Sequence, residues 1–179
     1  MLVGLEPEKY YHIYNRGINS CKLFNNDHDY EYFEKLIVRY LSSISDIYAY
    51  ALMSNHFHFV IKLHFEIDKP PHQYFSNLFN AYTKTFNIWN SRHGSLFERP
   101  FKRKLLNDEF YLKNAIHYVN YNPVKHGIVK EISKYKYSSF SKLNSTENSD
   151  ILVDRNEIFE IFGGKDEFFE YHNSSPKPI

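Results

Sequence analysis

Two histidines, His56 and His58, alternate with phenylalanines in the run HFHFVIKL. Side chains at positions i and i+2 of a β-strand project from the same face, so a strand here would direct both imidazoles one way and Phe57 and Phe59 the other way. The two histidine Cα atoms would lie about 7 Å apart, a separation at which two imidazoles can share one metal ion. Two partly exposed histidines without a ligand would give the same pattern, so the spacing alone leaves both readings open.

A tyrosine and an asparagine four residues apart, Tyr118 and Asn122, form a second candidate pair. The apolar stripe of the surrounding helical pattern centres near Leu112 and Val119, and both polar residues fall on one flank of it. Because positions i and i+4 are neighbours on a helix surface, a phenol and an amide oxygen would lie side by side. A boundary aromatic followed by an asparagine that ends the helix before Pro123 is the structural alternative.

Together, these four side chains predict chemistry on a phosphodiester. Two imidazoles and one neutral oxygen leave positions on a divalent ion for water and phosphate. A neighbouring tyrosine is a candidate nucleophile, but its ordinary pKa of about 10 means that attack needs a nearby cation to stabilise the charge. A metal ion would polarise the phosphoryl oxygen and stabilise the departing 3′ oxygen. No aspartate or glutamate adjoins the histidines in the sequence, which disfavours a hydrolase that activates water.

The elements that must position these residues follow the order β-α-β-β-α-β and then a further helix. Periodicity and turn residues predict strands over 10–15, 47–53, 56–63 and 99–106, and helices over 27–43, around 74–89, and from 108 until Pro123 ends or bends the helix. This order is that of an α+β, ferredoxin-like fold with a mostly antiparallel sheet, followed by the helix that carries Tyr118.

The remaining chain predicts a small helical C-terminal extension. Short helices are expected over 155–162, closed by Gly163 and Gly164, and over 166–172, after a polar linker at 144–148. We therefore expect a catalytic domain over 1–143 and an acidic, helical extension over 144–179 that packs on it or is tethered to it.

Composition excludes several classes of protein. A chain of 179 residues suits one domain, and 42% hydrophobic residues exclude global disorder. The single cysteine, Cys21, excludes a disulfide scaffold and a cysteine-based zinc finger. The longest mostly apolar stretch, 47–53, is far shorter than a membrane span, and the first residues lack a signal-peptide pattern, so a cytoplasmic location is expected.

The net charge of +1 hides an asymmetry along the chain. Residues 81–136 contain eleven Lys or Arg and four acidic residues, whereas residues 147–171 contain eight acidic and two basic residues. A basic middle and an acidic end predict a surface that binds a polyanion and a covering or solubilising tail. Ordinary variation of surface charge is the alternative.

Four stretches, NHFHFVIK, FERPFKRKLL, YVNYNPVKHGIV and YKYSSF, follow one another along the chain. In this order they resemble the single-tyrosine HUH transposases, and most closely the branch of REP-associated tyrosine transposases and their transposase-like relatives. The opening YHIYNRGINSCKLF is similar as well, so the resemblance covers nearly the whole chain. One departure is Met53-Ser54-Asn55 before the first histidine, where relatives often have Met-Pro-Asn.

The resemblance implies a fold, an activity and site residues. It implies a ferredoxin-like sheet that presents His56 and His58 as ligands of Mg²⁺ or Mn²⁺, with Asn122 as the third ligand and Tyr118 as the nucleophile. Family members cleave single-stranded DNA, often beside a hairpin. The tyrosine becomes joined to the 5′ phosphate and a 3′ hydroxyl is released for rejoining, so no nucleotide cofactor is implied. Some relatives are dimers that exchange the tyrosine helix, so a homodimer is one expected state and a monomer the other.

The resemblance also makes several basic side chains candidates for binding DNA. On a strand, Lys102 and Lys104 share one face and Arg103 the other. Such residues would track a DNA backbone with strong salt dependence, and the 32 Tyr and Phe residues offer surfaces on which unpaired bases can stack. Charged strand residues can instead protect a sheet edge. The predicted DNA-binding set is Arg16, Arg99, Lys102, Arg103, Lys104 and Lys125.

Three alternatives remain open at this stage. Tyr111 and Tyr121 also lie on or near the predicted helix, and Tyr121 rivals Tyr118 if that helix ends early. A non-catalytic nucleic-acid-binding module on the same frame would bind without metal. A phosphodiesterase in which water attacks would turn over without covalently bound DNA.

Overall fold

Four strands form an antiparallel sheet in the order β2-β3-β1-β4. The computed structural model describes residues 4–145, 152–177 and 179. The strands are β1 (Tyr10–Arg16), β2 (Ser45–Met53), β3 (His56–Leu63) and β4 (Lys102–Leu106). The helices are α1 (Asp27–Leu41), α2 (Pro71–Trp89), α3 (Glu109–Lys125), α4 (Ser139–Asn144), α5 (Arg155–Phe162) and α6 (Lys165–Tyr171). This is the predicted α+β order, and the antiparallel ferredoxin-like sheet is confirmed.

The two faces of the sheet pack against different helices. On one face, Phe57 and Phe59 are fully buried in a core shared with α1 and α2. On the other face, Val60 packs in a second core with Ile116 and Val119 of α3. Because side chains alternate along β3, this arrangement puts His56 and His58 on the face that α3 covers. The alternation predicted for HFHFVIKL is confirmed.

The position at which α3 ends determines whether Lys125 is part of the helix that carries Tyr118. Pro123 lies inside the helix, which continues to Lys125 and ends where Gly127 adopts a φ of 66°. Gly127 N–H donates to Val124 O and Ile128 N–H donates to Pro123 O, which is the Schellman pattern. Of the two outcomes predicted at Pro123, an end or a bend of the helix, the end is wrong, because Gly127 supplies the stop. The extra residues keep Lys125 helical, on the face it shares with Tyr118.

A buried chain of hydrogen bonds fixes α3 against the sheet and the C-terminal helices. Tyr50 N–H donates to Ser139 Oγ, whose hydroxyl donates to Asn120 Oδ1 at 2.7 Å. Asn120 Nδ2 lies 3.1 Å from His172 Nε2, and His172 Nδ1 lies 2.7 Å from Phe168 O. A carbonyl can only accept, so Nδ1 of His172 carries the hydrogen and Nε2 accepts from the amide. The chain of bonds therefore requires a neutral imidazole.

We expect acid to destabilise the fold through His172. Burial, followed by the neighbouring His117, lowers the pKa of His172 from 6.5 to about 3. The unfolded chain therefore binds more protons between those two values, so the free energy of unfolding falls as the pH drops through that window. One such histidine contributes a loss of about 2 kcal/mol between pH 7 and pH 5. Urea unfolding at pH 7 and pH 5 measures it. We expect the free energy of unfolding to change less between pH 7 and pH 5 in His172→Gln than in the parent. The control His93→Gln, at an exposed histidine, should change as much as the parent. The same change in all three proteins would contradict the role of His172.

Some elements differ from those predicted. The fourth strand begins at Lys102 instead of residue 99, because Pro100 lacks the N–H that a ladder needs and pairing with β1 starts at Tyr14 opposite Lys102. Helix α4 was not predicted. The helices at 155–162 and 166–172 are present as α5 and α6, while residues 146–148 of the expected linker lie outside the described residues. None of the helices that the structure describes is long and apolar enough to cross a membrane.

Candidate active site

A cavity of about 450 Å³ opens where β1, β3 and the end of α3 meet. It brings together seven of the residues predicted from the sequence. These are Arg16, His56, His58, Lys102, Tyr118, Asn122 and Lys125. The polar side chains predicted on a strand and on a separate helix therefore share one site.

The two histidines present neutral ring nitrogens to this cavity. Their ring centroids lie 5.4 Å apart with planes at 85°. Burial lowers the pKa of His56 to about 4, with smaller effects from His126 and Arg16. Burial also holds the pKa of His58 well below its usual range, with further lowering from neighbouring histidines and Lys125. Neutral imidazole is the form that binds a metal ion.

One nitrogen of each ring already has a partner. Nδ1 of His56 lies 2.6 Å from Asn55 Oδ1, and an amide oxygen can only accept, so Nδ1 carries the hydrogen. Nδ1 of His58 lies 2.8 Å from Nε2 of His12. Nε2 is thus the nitrogen of His56 that has a lone pair to offer to a metal ion, and Nε2 is the nitrogen of His58 that the contact with His12 leaves unused.

Asn122 supplies an oxygen that the protein leaves without a hydrogen bond. The residue is 1% exposed, and its Nδ2 donates to Tyr118 O at 2.7 Å. Its Oδ1 is buried and has no hydrogen-bond partner among the described residues. A buried acceptor without a partner is costly, and coordination of a cation would satisfy it. Two imidazole nitrogens and this oxygen therefore fit a divalent ion.

Among the described residues, clusters of histidine, cysteine and acidic side chains offer no second metal site. In residues 4–145 and 152–177, no three His, Cys, Asp or Glu side chains come together in a way that could hold a metal ion. The candidate set is of a different kind, because it consists of two histidines and the amide oxygen of Asn122.

Tyr118 lies over the histidines with a cation at its hydroxyl. Its ring centroid is 6.2 Å from that of His58, with the ring planes at 83°. Lys125 Nζ donates to Tyr118 Oη at 3.0 Å and lies 4.6 Å from the centre of the ring. The sequence predicted Lys125 as a DNA contact; the structure places its ammonium against the predicted nucleophile. A positive charge there favours the negative charge that develops on the tyrosine oxygen.

The entrance of the cavity is predominantly basic. Arg16, Lys102 and Lys125 line it, and Glu98, the one carboxylate among its described lining residues, accepts from Arg16 Nε at 2.6 Å. The sequence showed no acidic residue beside the histidines, but the isolated bridge between Gly17 and Phe97 brings Glu98 to this site. Because the carboxylate is paired with Arg16, the excess charge is positive, which suits a phosphate.

Gly17 allows the chain to turn sharply after β1. A Cβ at this position would lie 2.1 Å from Cys21 O, so a larger residue would force the backbone to move. The turn places Ser20 on the cavity wall, next to the end of β1 that carries Arg16. Gly17 is thus required for the turn that brings Ser20 to the site.

Three predicted DNA-binding residues lie away from this cavity. Arg99 and Arg103 line a second cavity of about 600 Å³ beside α2, which shares Glu98 with the first. Arg99 donates to Asn80 Oδ1 at 3.1 Å, and the guanidinium of Arg103 lies 5.2 Å from the centre of the Phe101 ring. Lys104 Nζ lies 5.1 Å from the ring of Tyr111.

Sequence reasoning missed His12 and Tyr14 of β1. Their rings are parallel neighbours, with centroids 4.8 Å apart, and Tyr14 lies directly opposite His58 in the β1–β3 register. His12 is 3% exposed, and burial, with a smaller effect from Lys104, lowers its pKa to about 3. The alternation in YYHIYN carried the signal, because it places both residues on one face.

Two known proteins are similar to this chain in sequence or in fold. No protein-family model matches the chain. A curated protein from Haemophilus influenzae, named as a REP-associated tyrosine transposase, is 39% identical over 51 residues, which are 28% of this chain and 29% of that protein. The chain thus matches less than a third of the relative's length.

A solved structure of the REP-associated tyrosine transposase bound to a REP hairpin gives a TM-score of 0.64 at 17% identity. It covers 87% of this chain and 96% of that chain, so nearly the whole fold is shared. With the local sequence match and this common fold, the resemblance of the chain to the REP-associated tyrosine transposases is confirmed.

Proposed function

We propose that this protein nicks and rejoins single-stranded DNA through a covalent bond to Tyr118. The observation that carries the proposal is the hydroxyl of Tyr118, which receives a hydrogen bond from the Lys125 ammonium in a cavity lined by two neutral histidines. Nucleophile, cation and imidazole nitrogens thus converge on one space large enough for a phosphodiester.

The reaction is a transfer of one phosphodiester bond to the protein. Tyr118 Oη attacks the phosphorus and loses its proton, the bond to the 3′ oxygen breaks, and that oxygen takes up a proton as a free hydroxyl. Tyr118 is then joined to the 5′ phosphate. Attack by a 3′ hydroxyl on this bond releases the tyrosine and rejoins a strand. The bond energy is conserved in the phosphotyrosine, so no nucleotide is consumed.

His56, His58 and Asn122 would hold Mg²⁺ or Mn²⁺. When bound, the ion supplies Lewis-acid stabilisation of the phosphoryl oxygen and of the departing 3′ oxygen. The protein's own contribution is to keep both imidazoles neutral by burial and to offer the unpartnered oxygen of Asn122.

The charge of the cavity and the similar solved structure support DNA as the substrate. Arg16, Lys102 and Lys125 give the entrance a positive charge, which attracts a phosphate backbone. The solved transposase holds a REP hairpin, and we propose a single strand with a hairpin beside the cut as the partner here. Arg99 and Arg103, at the second cavity, would extend the contact away from the cleaved phosphate.

A covalent adduct tests the proposal directly. We expect the protein, Mn²⁺ and a hairpin-containing single strand to give a protein–DNA species that survives denaturation, with the nucleotide on the peptide that contains Tyr118. EDTA should abolish it. Binding that survives EDTA without any adduct would instead indicate a non-catalytic module, and multiple turnover without an adduct would indicate attack by water.

A further inference from the structure

We propose that His12 is a positioning residue that holds His58 in the tautomer whose Nε2 has a free lone pair. His12 would accept the hydrogen of His58 Nδ1 through its own Nε2. The inference rests on the proposed function only for the use of that lone pair, which is to bind a divalent ion.

The geometry of the pair is that of an in-plane hydrogen bond. His12 Nε2 and His58 Nδ1 are 2.8 Å apart, while the ring planes differ by 12° and the centroids are 5.0 Å apart. The centroid separation exceeds the N···N distance by about the width of one ring, as expected for two rings that meet edge to edge. A short, coplanar contact of this kind is a directed N–H···N bond.

The surroundings hold both rings in this arrangement. Tyr14 is nearly parallel to both, with its centroid 4.8 Å from His12 and 5.5 Å from His58. Tyr118 meets both rings edge-on, with centroids at 6.1 Å and 6.2 Å. His12 and His58 are also nearly fully buried, so water is not a competing partner for the bond. A buried, fixed contact can set a tautomer.

Only two arrangements of the hydrogen are compatible with two neutral rings. Either His58 Nδ1–H donates to His12, which leaves His58 Nε2 with a lone pair, or His12 Nε2–H donates to His58. In the second case the one hydrogen of His58 is on Nε2, and that nitrogen cannot coordinate a cation. The direction of one buried hydrogen bond therefore decides whether His58 can act as a ligand.

The cavity favours the first arrangement. In the second, His58 Nε2–H would face a site lined by the cations Arg16, Lys102 and Lys125, which favours a lone pair over a donor. Asn122, which lines the same cavity, has an Oδ1 without a hydrogen-bond partner among the described residues, so a hydrogen on His58 Nε2 would find no acceptor in that oxygen. His58 Nδ1–H donating to His12 satisfies both observations.

The test measures the tautomer in metal-free protein. Nitrogen-15 NMR of the labelled chain should show the hydrogen of His58 on Nδ1, with the signal assigned by its loss in His58→Gln. In His12→Phe, which keeps a ring but removes the acceptor, we expect the hydrogen to move to Nε2 and the Kd for Mn²⁺ to rise about 10- to 100-fold. His12→Gln, whose amide oxygen can accept, should restore the parent tautomer and most of the Mn²⁺ affinity.

Two results would overturn the inference. One is a parent protein in which His58 carries its hydrogen on Nε2, a measurement that needs no variant at His12. The other is a folded His12→Phe protein with the parent affinity for Mn²⁺. If the tautomer and Mn²⁺ results hold but no DNA adduct forms, the proposed function fails while the role of His12 stands.

Discussion

Replacing Tyr118 with phenylalanine is expected to abolish the covalent adduct and to lower the rate of strand cleavage by about 10³-fold or more. The substitution removes one oxygen and keeps the ring, so the edge-on contacts with His12 and His58 remain. The loss should therefore fall on the chemical step. Denaturing gels with end-labelled DNA measure the adduct, and a filter-binding assay measures affinity, which should change little.

Tyr121→Phe is the matched control on the same helix. The hydroxyl of Tyr121 lies 3.2 Å from Ser175 Oγ, on the side of α3 that faces the C-terminal segment. Because α3 continues past Pro123, the early helix end that would have favoured Tyr121 does not occur. We expect this variant to form the adduct at the parent rate. A parent level of adduct in Tyr118→Phe would show that the nucleophile has been assigned to the wrong residue.

Features that depend on local periodicity could be predicted from the sequence. The two faces of β3 follow from strict alternation, and the shared flank of Tyr118 and Asn122 follows from helical spacing. Both patterns involve residues a few positions apart, for which backbone geometry fixes the relation. The order of elements then implied the sheet, because few topologies accommodate it.

Features that depend on the pairing of distant segments could not be predicted in this way. The hydrogen bond between His12 and His58 joins residues 46 positions apart and requires the register of β1 against β3. Glu98 reaches the site through an isolated bridge that has no sequence signature. The end of α3 was left open for a different reason: the sequence allowed Pro123 either to end or to bend the helix, and the left-handed conformation of Gly127 supplies the actual stop.

Substitution of Lys125 separates two possible roles of its ammonium, stabilisation of the tyrosine oxygen and binding of a DNA phosphate. Lys125→Met keeps most of the aliphatic stem and removes the ammonium that donates to Tyr118 Oη. The oxygen would then lose its proton for the attack, and leave as a phenolate during rejoining, without a facing cation. We expect the single-turnover rate at saturating DNA to fall by about 10²-fold. Lys125→Arg, which retains the charge, should recover part of that rate.

Lys102→Met is the matched control, because Lys102 lines the same cavity from β4. Removing a phosphate contact should weaken DNA binding and reduce the slope of log affinity against log salt by about one, with the rate at saturating DNA unchanged. If Lys125→Met gives that same pattern, Lys125 contacts only a DNA phosphate, as its position in the basic segment first suggested. A loss of rate at saturating DNA identifies it instead as a catalytic residue, since the cation then acts on the tyrosine oxygen itself.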